Sequence, residues 1–297
     1  MISKSARVSV LPMVSNDRAM HIVFLLTACI SIFAVIFICA FLFASGIPAI
    51  KEIGLADFLL GMDWKPSQSL YGIFPMIIGS IYVTAGAIII GVPIGLLCAV
   101  FMASYCPKKL YKILKPAIDL LAGIPSIVYG FFGLMVLVPI TQQIFSNTLG
   151  GSGKSLLTAS ILLGIMILPT IISVAESSIR AVPKYYYEGA LALGATRERS
   201  IFKTVLPAAK MGIFAGVILG IGRAIGETMA VVMVCGNQAI MPESITSGVR
   251  TLTANIVLEM GYAAGLHRDA LIATAVVLFV FILIINLSFS ALKRRAG

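Results

Sequence analysis

Charged residues are scarce in this chain. Asp, Glu, Lys and Arg make up only 11% of its 297 residues, whereas soluble domains contain about 25%. Histidine occurs twice, at His21 and His267, and the five cysteines form no CxxC pair. The first scarcity excludes an ordinary soluble fold. The small number of histidines and the absence of a CxxC pair argue against a metal site. They indicate that the cysteines are packing thiols rather than metal ligands or disulfides.

Long apolar runs stand where charge is missing. Hydrophobic residues make up 59% of the chain, and its mean hydropathy is +1.04. Because about 20 apolar residues cross a bilayer as a helix, we predict an all-α integral membrane protein. Its six spans are expected at about residues 21–45, 75–105, 117–140, 155–178, 208–236 and 269–292. Residues 1–20 are predicted to be an N-terminal segment and 21–297 one transmembrane domain, since the first run is too long for a signal peptide.

The basic residues are unevenly distributed between the predicted loops. Sixteen of the 22 Lys and Arg residues precede span one, follow span two, separate spans four and five, or follow span six. Because basic loops stay in the cytoplasm, this side is predicted to be cytoplasmic, with both termini on it. The formal charge of +10 then reflects topology and contact with the lipid bilayer, and not binding of nucleic acid.

The most distinctive segment is a polar, basic loop between spans four and five, residues 184–207. It contains EGALALGATRERSIFKTVLP, which predicts two short helices, 185–193 and 195–204, joined by a turn at Gly194. Leu206-Pro207 is predicted to end the second helix. Helices in so short a loop have no core of their own. The loop is therefore predicted to dock onto a partner.

The spacing of this segment resembles the EAA loop of ABC importer permeases. The positions that carry the resemblance are Glu188, Gly189, Ala190, Gly194, Leu206 and Pro207. Gly189 stands where the family usually has Ala, and Thr204 where it usually has a bulky aliphatic residue. The resemblance implies a six-helix type I importer permease, whose loop is a cytoplasmic coupling helix seated in the ATP-hydrolysing subunit. The alternative is an ordinary amphipathic loop helix.

Two charged residues fall deep inside predicted span five. Arg223 lies about 24 Å beyond Pro207 at 1.5 Å per residue, and a lone arginine at that depth costs about 2.5–3.5 kcal/mol. Glu227 follows at i+4 and is expected to share the face of Arg223 and pair with it. Two interpretations stay open. The pair is either a structural brace or an oxyanion relay, in which the planar guanidinium meets the anion.

Predicted span three contains LLAGIPSIVYGFFGL. Gly123, Pro125 and Gly130 are expected to bend or loosen this helix, because Pro125 removes a backbone hydrogen bond. Ser126 and Tyr129 are then candidates to line a polar pathway. A kink that serves only packing is the alternative.

Two extracytoplasmic segments are candidate contact surfaces. In the last loop, Thr251, Ile256 and Met260 form an apolar stripe that predicts an interfacial helix able to receive a binding protein. In the first, 56–64, Trp64 is predicted to anchor at the level of the lipid headgroups. Interfacial helices without a partner are the alternative in both cases.

A glycine-rich stretch at 150–155, GGSGKS, is similar to the tail of a phosphate-binding P-loop. The position that the motif requires to be glycine is Thr148, and no β-strand is predicted before it. We interpret the stretch as a flexible turn between spans three and four. No ATPase is therefore predicted in this chain.

Four segments together resemble the phosphate-specific ABC importer permeases of the PstC type. They are GIPSIVYG, the EAA loop, GRAIGETMAV and TLTANIVLEMGYA, and the similarity runs from about Gly72 to the end of the chain. The resemblance implies that the chain is a non-enzymatic, phosphate-translocating subunit in the bacterial inner membrane. It also implies a second homologous permease, two ATP-binding subunits and an extracytoplasmic phosphate-binding protein. ATP and magnesium would be bound by those partners, with no cofactor or metal in this chain.

Three alternatives stay open. A molybdate or sulfate importer shares the coupling loop and differs in the anion taken up. An integral-membrane enzyme needs a histidine, a Ser–Lys dyad or paired aspartates at membrane depth, whereas the histidines here flank the spans and no lysine lies in the middle of one. A self-sufficient channel or secondary carrier has no use for the EAA loop.

Overall fold

Six long apolar helices dominate the computed structural model, which describes residues 14–149 and 152–296. Within those ranges, the helices long and apolar enough to cross a membrane are Met20–Ile53, Phe74–Tyr105, Ser126–Phe145, Leu156–Arg180, Arg197–Gly226 and Leu266–Ser288. The predicted number of spans is therefore confirmed. The predicted segment 1–20 and the GGSGKS stretch lie partly outside the described residues, which begin at Val14 and omit 150–151.

Short elements connect the long helices. The first half of the chain contains α1 (Val14–Ile53), α2 (Leu55–Leu60), the antiparallel strands β1 (Trp64–Lys65) and β2 (Leu70–Tyr71), α3 (Phe74–Val100), α4 (Lys108–Gly123), α5 (Ser126–Phe132) and α6 (Val138–Leu149). The second half contains α7 (Leu156–Arg180), α8 (Lys184–Ala192), α9 (Arg197–Ser200), α10 (Leu206–Gly226), α11 (Met229–Val234), α12 (Leu252–Glu259) and α13 (Leu266–Ala296).

Helix α7 lies at the centre of the bundle, with α3 along one side and α10 along the other. Glycines allow these close approaches. A Cβ at Gly91 of α3 would lie 2.7 Å from the Gly164 carbonyl oxygen, and one at Gly220 of α10 would lie 2.9 Å from the Ile171 side chain. Small residues let helix backbones pack closely inside a membrane, where dispersion contacts hold helices together.

A second buried cluster joins α1, α2, the β-hairpin, α12 and α13. Helix α12 lies inside it, with Leu252, Ala254 and Asn255 buried. The prediction of an interfacial helix at 251–260 is therefore wrong. Trp64 is only 7% exposed and packs in the same cluster, so it is not a headgroup anchor. Both segments fold back onto the bundle because they carry polar groups that bond to each other, as described below.

Three π-helical turns interrupt the spans, at Phe101–Tyr105, Gly133–Leu137 and Ile201–Val205. Each is followed two residues later by a proline, namely Pro107, Pro139 or Pro207. The first π turn ends its helix, since Cys106 and Pro107 are extended. Pro139 and Pro207 lie inside helices, where a proline lacks the amide hydrogen and its ring clashes with the carbonyl four residues back; a wider turn relieves both problems. The helix therefore runs on through Pro207 into α10, and the predicted stop at Leu206-Pro207 is wrong.

Two predicted spans have different bounds in the structure. Helix α4 ends at Gly123 and α5 begins at Ser126. The helix is therefore interrupted at Pro125, where only a bend within one helix was predicted. Span three consequently starts at Ser126, and the basic helix α4 lies outside it. Span five ends at Gly226 instead of about 236, because Glu227 and Thr228 are not helical.

Candidate functional site

The loop between α7 and α10 is a helical pair with a tight, fully bonded turn. Gly194 has φ 84°, and its N–H donates to the Leu191 carbonyl at 2.9 Å, while Ala195 N–H donates to the Ala190 carbonyl at 3.1 Å. These two bonds form a Schellman cap, which requires a left-handed residue at the position of Gly194. The predicted turn is confirmed. Thr196 then caps α9, its Oγ1 accepting from Arg199 N–H at 3.3 Å.

This loop projects from the bundle. Leu193 is 92% exposed, and Tyr185 is exposed as well. Glu188 and Pro207 are also exposed, Ala190 and Leu206 are half-buried, and a Cβ at Gly189 or Gly194 would meet no atom within 4 Å. An exposed leucine at the tip of a short, rigid loop is a surface that a partner can cover.

Arg197 ties the loop to the end of the second span. Its NH2 donates to the Ser104 carbonyl at 2.7 Å, and its guanidinium lies 5.0 Å from the centre of the Tyr105 ring. The last carbonyls of a helix have no partner within the helix and accept such bonds. The loop is thereby linked to the last turn of the second span.

A buried carboxylate joins three elements at the same end of the bundle. Glu176 of α7, 2% exposed, accepts from the Tyr111 hydroxyl at 3.0 Å and forms ion pairs with Lys115 and Arg180. Arg180 also donates to the Met102 carbonyl at 2.8 Å and lies over the Tyr111 ring. Desolvation and the bond to Glu176 raise the pKa of Tyr111, which stays protonated as a donor. These bonds anchor the end of α7 to α4 and to the end of the second span.

Arg223 lies in the last turn of α10, half-buried beside the middle of α7. Its NH1 is 3.4 Å from Thr170 Oγ1. The helix C-terminus favours a cation there, because the final carbonyls carry partial negative charge. Open space adjoins this turn, since a Cβ at Gly222 or Gly226 would meet nothing within 4 Å.

Glu227 does not pair with Arg223. The helix ends at Gly226, and Glu227 has extended backbone angles, φ −69° and ψ 132°. Its Oε1 accepts instead from Ala230 N–H at 3.2 Å, at the start of α11, and its carbonyl accepts from Thr253 Oγ1 at 3.1 Å. The predicted i+4 ion pair is therefore wrong, because that spacing places side chains together only in an unbroken helix.

The structure brings Tyr129, but not Ser126, into the environment of Arg223. Tyr129 is buried in the cluster that also contains Ala224, the residue that follows Arg223. Its hydroxyl donates to the Leu121 carbonyl at 2.8 Å, across the break between α4 and α5. Ser126 is half-buried one turn earlier, on the same face of α5 as Tyr129.

A polar cluster at the opposite end of the bundle was missed in the sequence. Glu259 accepts from Arg250 NH1 at 2.7 Å and from Trp64 Nε1 at 2.8 Å, and His267 Nε2 lies 2.9 Å from its second oxygen. Arg250 also donates to Asn255 Oδ1 at 3.0 Å. These bonds hold α12, the β-hairpin and α13 together. No local pattern reveals them, since Trp64 and Glu259 are 195 residues apart.

Six membrane spans, a projecting helical loop and a polar break in the fifth span define a membrane transport permease. The chain belongs to the family described as binding-protein-dependent transport system inner membrane component, whose model matches residues 91–297. The structure accordingly has the six-helix type I ABC importer fold.

Curated relatives match over most of their length. The chain is 41% identical over 274 residues to a probable ABC transporter permease protein, YqgH, of Bacillus subtilis, covering 88% of each chain. It is 37% identical over 252 residues to the phosphate transport system permease protein PstC of Pasteurella multocida, covering 80% of this chain and 78% of that protein.

Solved structures share the fold at low sequence identity. A chain of a bacterial alginate ABC transporter, in complex with a periplasmic protein that holds an alginate pentasaccharide, superposes with a TM-score of 0.63 at 17% identity. That match covers 95% of this chain and 98% of the other. The inward-facing MetNI methionine ABC transporter gives a TM-score of 0.61 at 20% identity, covering 79% of this chain and 100% of the other.

Proposed function

We propose that this chain is the pore-forming permease subunit of an ATP-driven phosphate importer. The observation that carries the proposal is the similarity, over about four-fifths of the chain, to phosphate transport permeases of several organisms. The exposed coupling loop and the arginine beside open space inside the bundle agree with it. Phosphate is delivered by an extracytoplasmic binding protein and passes through the membrane between this subunit and a second one.

The partners follow from surfaces that the chain leaves open. Leu193 at the tip of the coupling loop and the exposed Tyr185 at the start of α8 fit a cleft in an ATP-binding subunit, which binds ATP and magnesium and performs the hydrolysis. One such subunit engages this loop and another engages the loop of a second, homologous permease. The open space beside Gly222 and Gly226 faces that second permease.

The coupling loop and both termini lie in the cytoplasm in this proposal. Sixteen basic residues fall on that side, in the residues before span one, between spans two and three, between spans four and five, and after span six. Basic segments are retained in the cytoplasm, and ATP is available there. The cluster around Glu259 then lies on the outer side, where the binding protein arrives.

Arg223 is the residue proposed to meet the anion. Its guanidinium has a single hydroxyl neighbour at 3.4 Å within the described residues, and the carboxylate of Glu227 is engaged with Ala230 N–H. The planar donor fork is therefore free to bind two oxygens of a phosphate. Glu227 keeps the helix broken at that depth, and the hydroxyls of Tyr129 and Ser126 extend the polar pathway towards the coupling end.

Uptake by reconstituted vesicles tests this function. Vesicles that contain the two permeases, the ATPase and the binding protein should accumulate radiolabelled phosphate with ATP inside the compartment that carries the coupling loop. Omitting this chain should abolish uptake, and excess sulfate or molybdate should not compete. Uptake that sulfate or molybdate displaces would assign another oxyanion. Uptake without ATP or without the ATPase would assign a channel or secondary carrier.

A further inference from the structure

A cavity of about 280 Å³ lies between the coupling loop and the bundle. Its lining comes from the end of the second span, the last turn of α7 and the residues that follow it, the first turn of α8, and the start of the fifth span. Two spans end beside this cavity, at Tyr105 and Arg180, and another begins there at Arg197. The cavity therefore sits at the boundary between the membrane and the water at the coupling end.

The cavity has apolar walls and a cationic edge. Ile179, Ile201 and Val205 line it and are buried, whereas Lys184 and Arg197 line it and are exposed. The hydroxyl-bearing residues Ser104 and Tyr187 are also in the lining, and none of the lining residues is Asp or Glu. The chemistry of the walls thus combines hydrogen-bond donors with hydrocarbon and offers no carboxylate to neutralise the two cations.

The two cations are available to a ligand. Lys184 forms no ion pair within the described residues, and Arg197 forms none there either. Arg197 uses its NH2 on the Ser104 carbonyl, and further N–H groups of the guanidinium stay free for an anion. Lys184 belongs to α8 and Arg197 to α9, so an anion held by both would bridge the two arms of the coupling loop.

We propose that this cavity binds the phosphate of an anionic phospholipid, with the start of an acyl chain against the apolar walls. Basic pockets between spans at the cytoplasmic face attract anionic headgroups, and each Lys or Arg there contributes about 1 kcal/mol. The volume is near the lower end of the range for ligand pockets, about 300 Å³, which suits a headgroup better than a whole lipid. Free inorganic phosphate would satisfy the cations but leave the apolar walls in water.

Lipid binding by the purified chain tests the proposal without depending on transport. Native mass spectrometry would count phosphatidylglycerol and phosphatidylcholine retained from mixed micelles, with inorganic phosphate added as a competitor. The wild-type chain should retain phosphatidylglycerol preferentially. Lys184→Gln should weaken retention about fivefold, the loss expected for one cation, and Lys184→Arg should restore it.

Matched controls come from the same loop. Lys203 and Arg199 are exposed and lie outside the cavity lining, so Lys203→Gln and Arg199→Gln remove one charge each without touching the site. Both should retain phosphatidylglycerol as the wild type does. Equal weakening by these controls would reduce the effect to net charge and overturn the proposal. Displacement of the lipid by millimolar inorganic phosphate would overturn the lipid assignment in favour of a free-phosphate site.

Discussion

Replacing Glu259 with glutamine removes the carboxylate on which three side chains converge. Arg250, Trp64 and His267 lie 2.7, 2.8 and 2.9 Å from its two oxygens, and the side chain is only 9% exposed. A glutamine keeps one acceptor oxygen and places an NH2 donor where the other oxygen stood. In either orientation of the amide, its NH2 donor faces another donor, the N–H of Arg250 or that of Trp64. Arg250 also loses its counter-charge.

The size of this loss follows from burial. The Arg250 side chain is 18% exposed, so it regains little hydration when the carboxylate is gone. Breaking a buried ion pair by removing one partner costs about 3–5 kcal/mol, and an unsatisfied buried donor costs about 1–3 kcal/mol. We expect Glu259→Gln to lower the free energy of unfolding by about 3–5 kcal/mol, towards the lower end because Arg250 keeps its bond to Asn255.

Tryptophan fluorescence measures this loss directly, because Trp64 is the sole tryptophan. In the wild type its emission should be blue-shifted and resist quenching by acrylamide and by brominated lipids. In Glu259→Gln the emission should shift to the red and become quenchable, and unfolding in a denaturing-detergent titration should occur earlier.

Asp63→Asn is the matched control. It breaks an ion pair with Lys65 in which both side chains are more than half exposed, so the unfolding free energy should change by no more than about 0.5 kcal/mol. Wild-type stability and a shielded Trp64 in Glu259→Gln would refute the reasoning. Quenching of wild-type Trp64 by brominated lipid would restore the headgroup-anchor interpretation.

Three other outcomes are expected. Gly194→Val forces a β-branched residue to φ 84° and should abolish uptake while the amount of the chain in the membrane stays normal. Gly189→Ala places its methyl group in open space and should transport normally. Normal uptake in both variants would show that the turn is not a mechanical link. A cysteine at Lys154 should react with an impermeant maleimide from outside and one at Arg199 should not, and the reverse labelling would invert the topology. Arg223→Gln removes a charge-assisted bond to the anion worth about 1.5–3 kcal/mol and should lower phosphate uptake roughly 10- to 100-fold while ATP hydrolysis persists. Unchanged uptake would exclude Arg223 from the pathway.

Local signals predicted the spans and the coupling loop. A run of about 20 apolar residues has one common solution in a bilayer, and a glycine after a helix-forming stretch favours the left-handed cap seen at Gly194. These features depend on residues adjacent in sequence, so they can be predicted without knowledge of the tertiary structure. The bounds of spans three and five were predicted wrongly, because the helices are interrupted at Pro125 and Glu227 and a hydropathy average over a window does not detect such interruptions.

Contacts between distant residues were beyond the sequence. The pairing of Arg223 with Glu227 assumed a continuous helix, and the helix ends one residue before the glutamate. Helix α12 was predicted to be interfacial because of its apolar stripe, yet Glu259 is buried and bonds to partners from three other segments. In the sequence, the members of such a buried polar network are isolated polar residues in apolar segments, and nothing local indicates that they bond to each other.

The π turn at Ile201–Val205 has a geometric consequence for the whole subunit. It lies between the Gly194 turn and Arg223, and it holds one residue more than the same stretch of α-helix would need. One residue corresponds to about 100° of rotation and 1.5 Å of rise. Deleting a single residue there would make the helix locally more regular while swinging the loop about 100° around the axis of the fifth span. The relative orientation of the Gly194 turn and Arg223 is therefore set by the number of residues between them, and not by any one side chain.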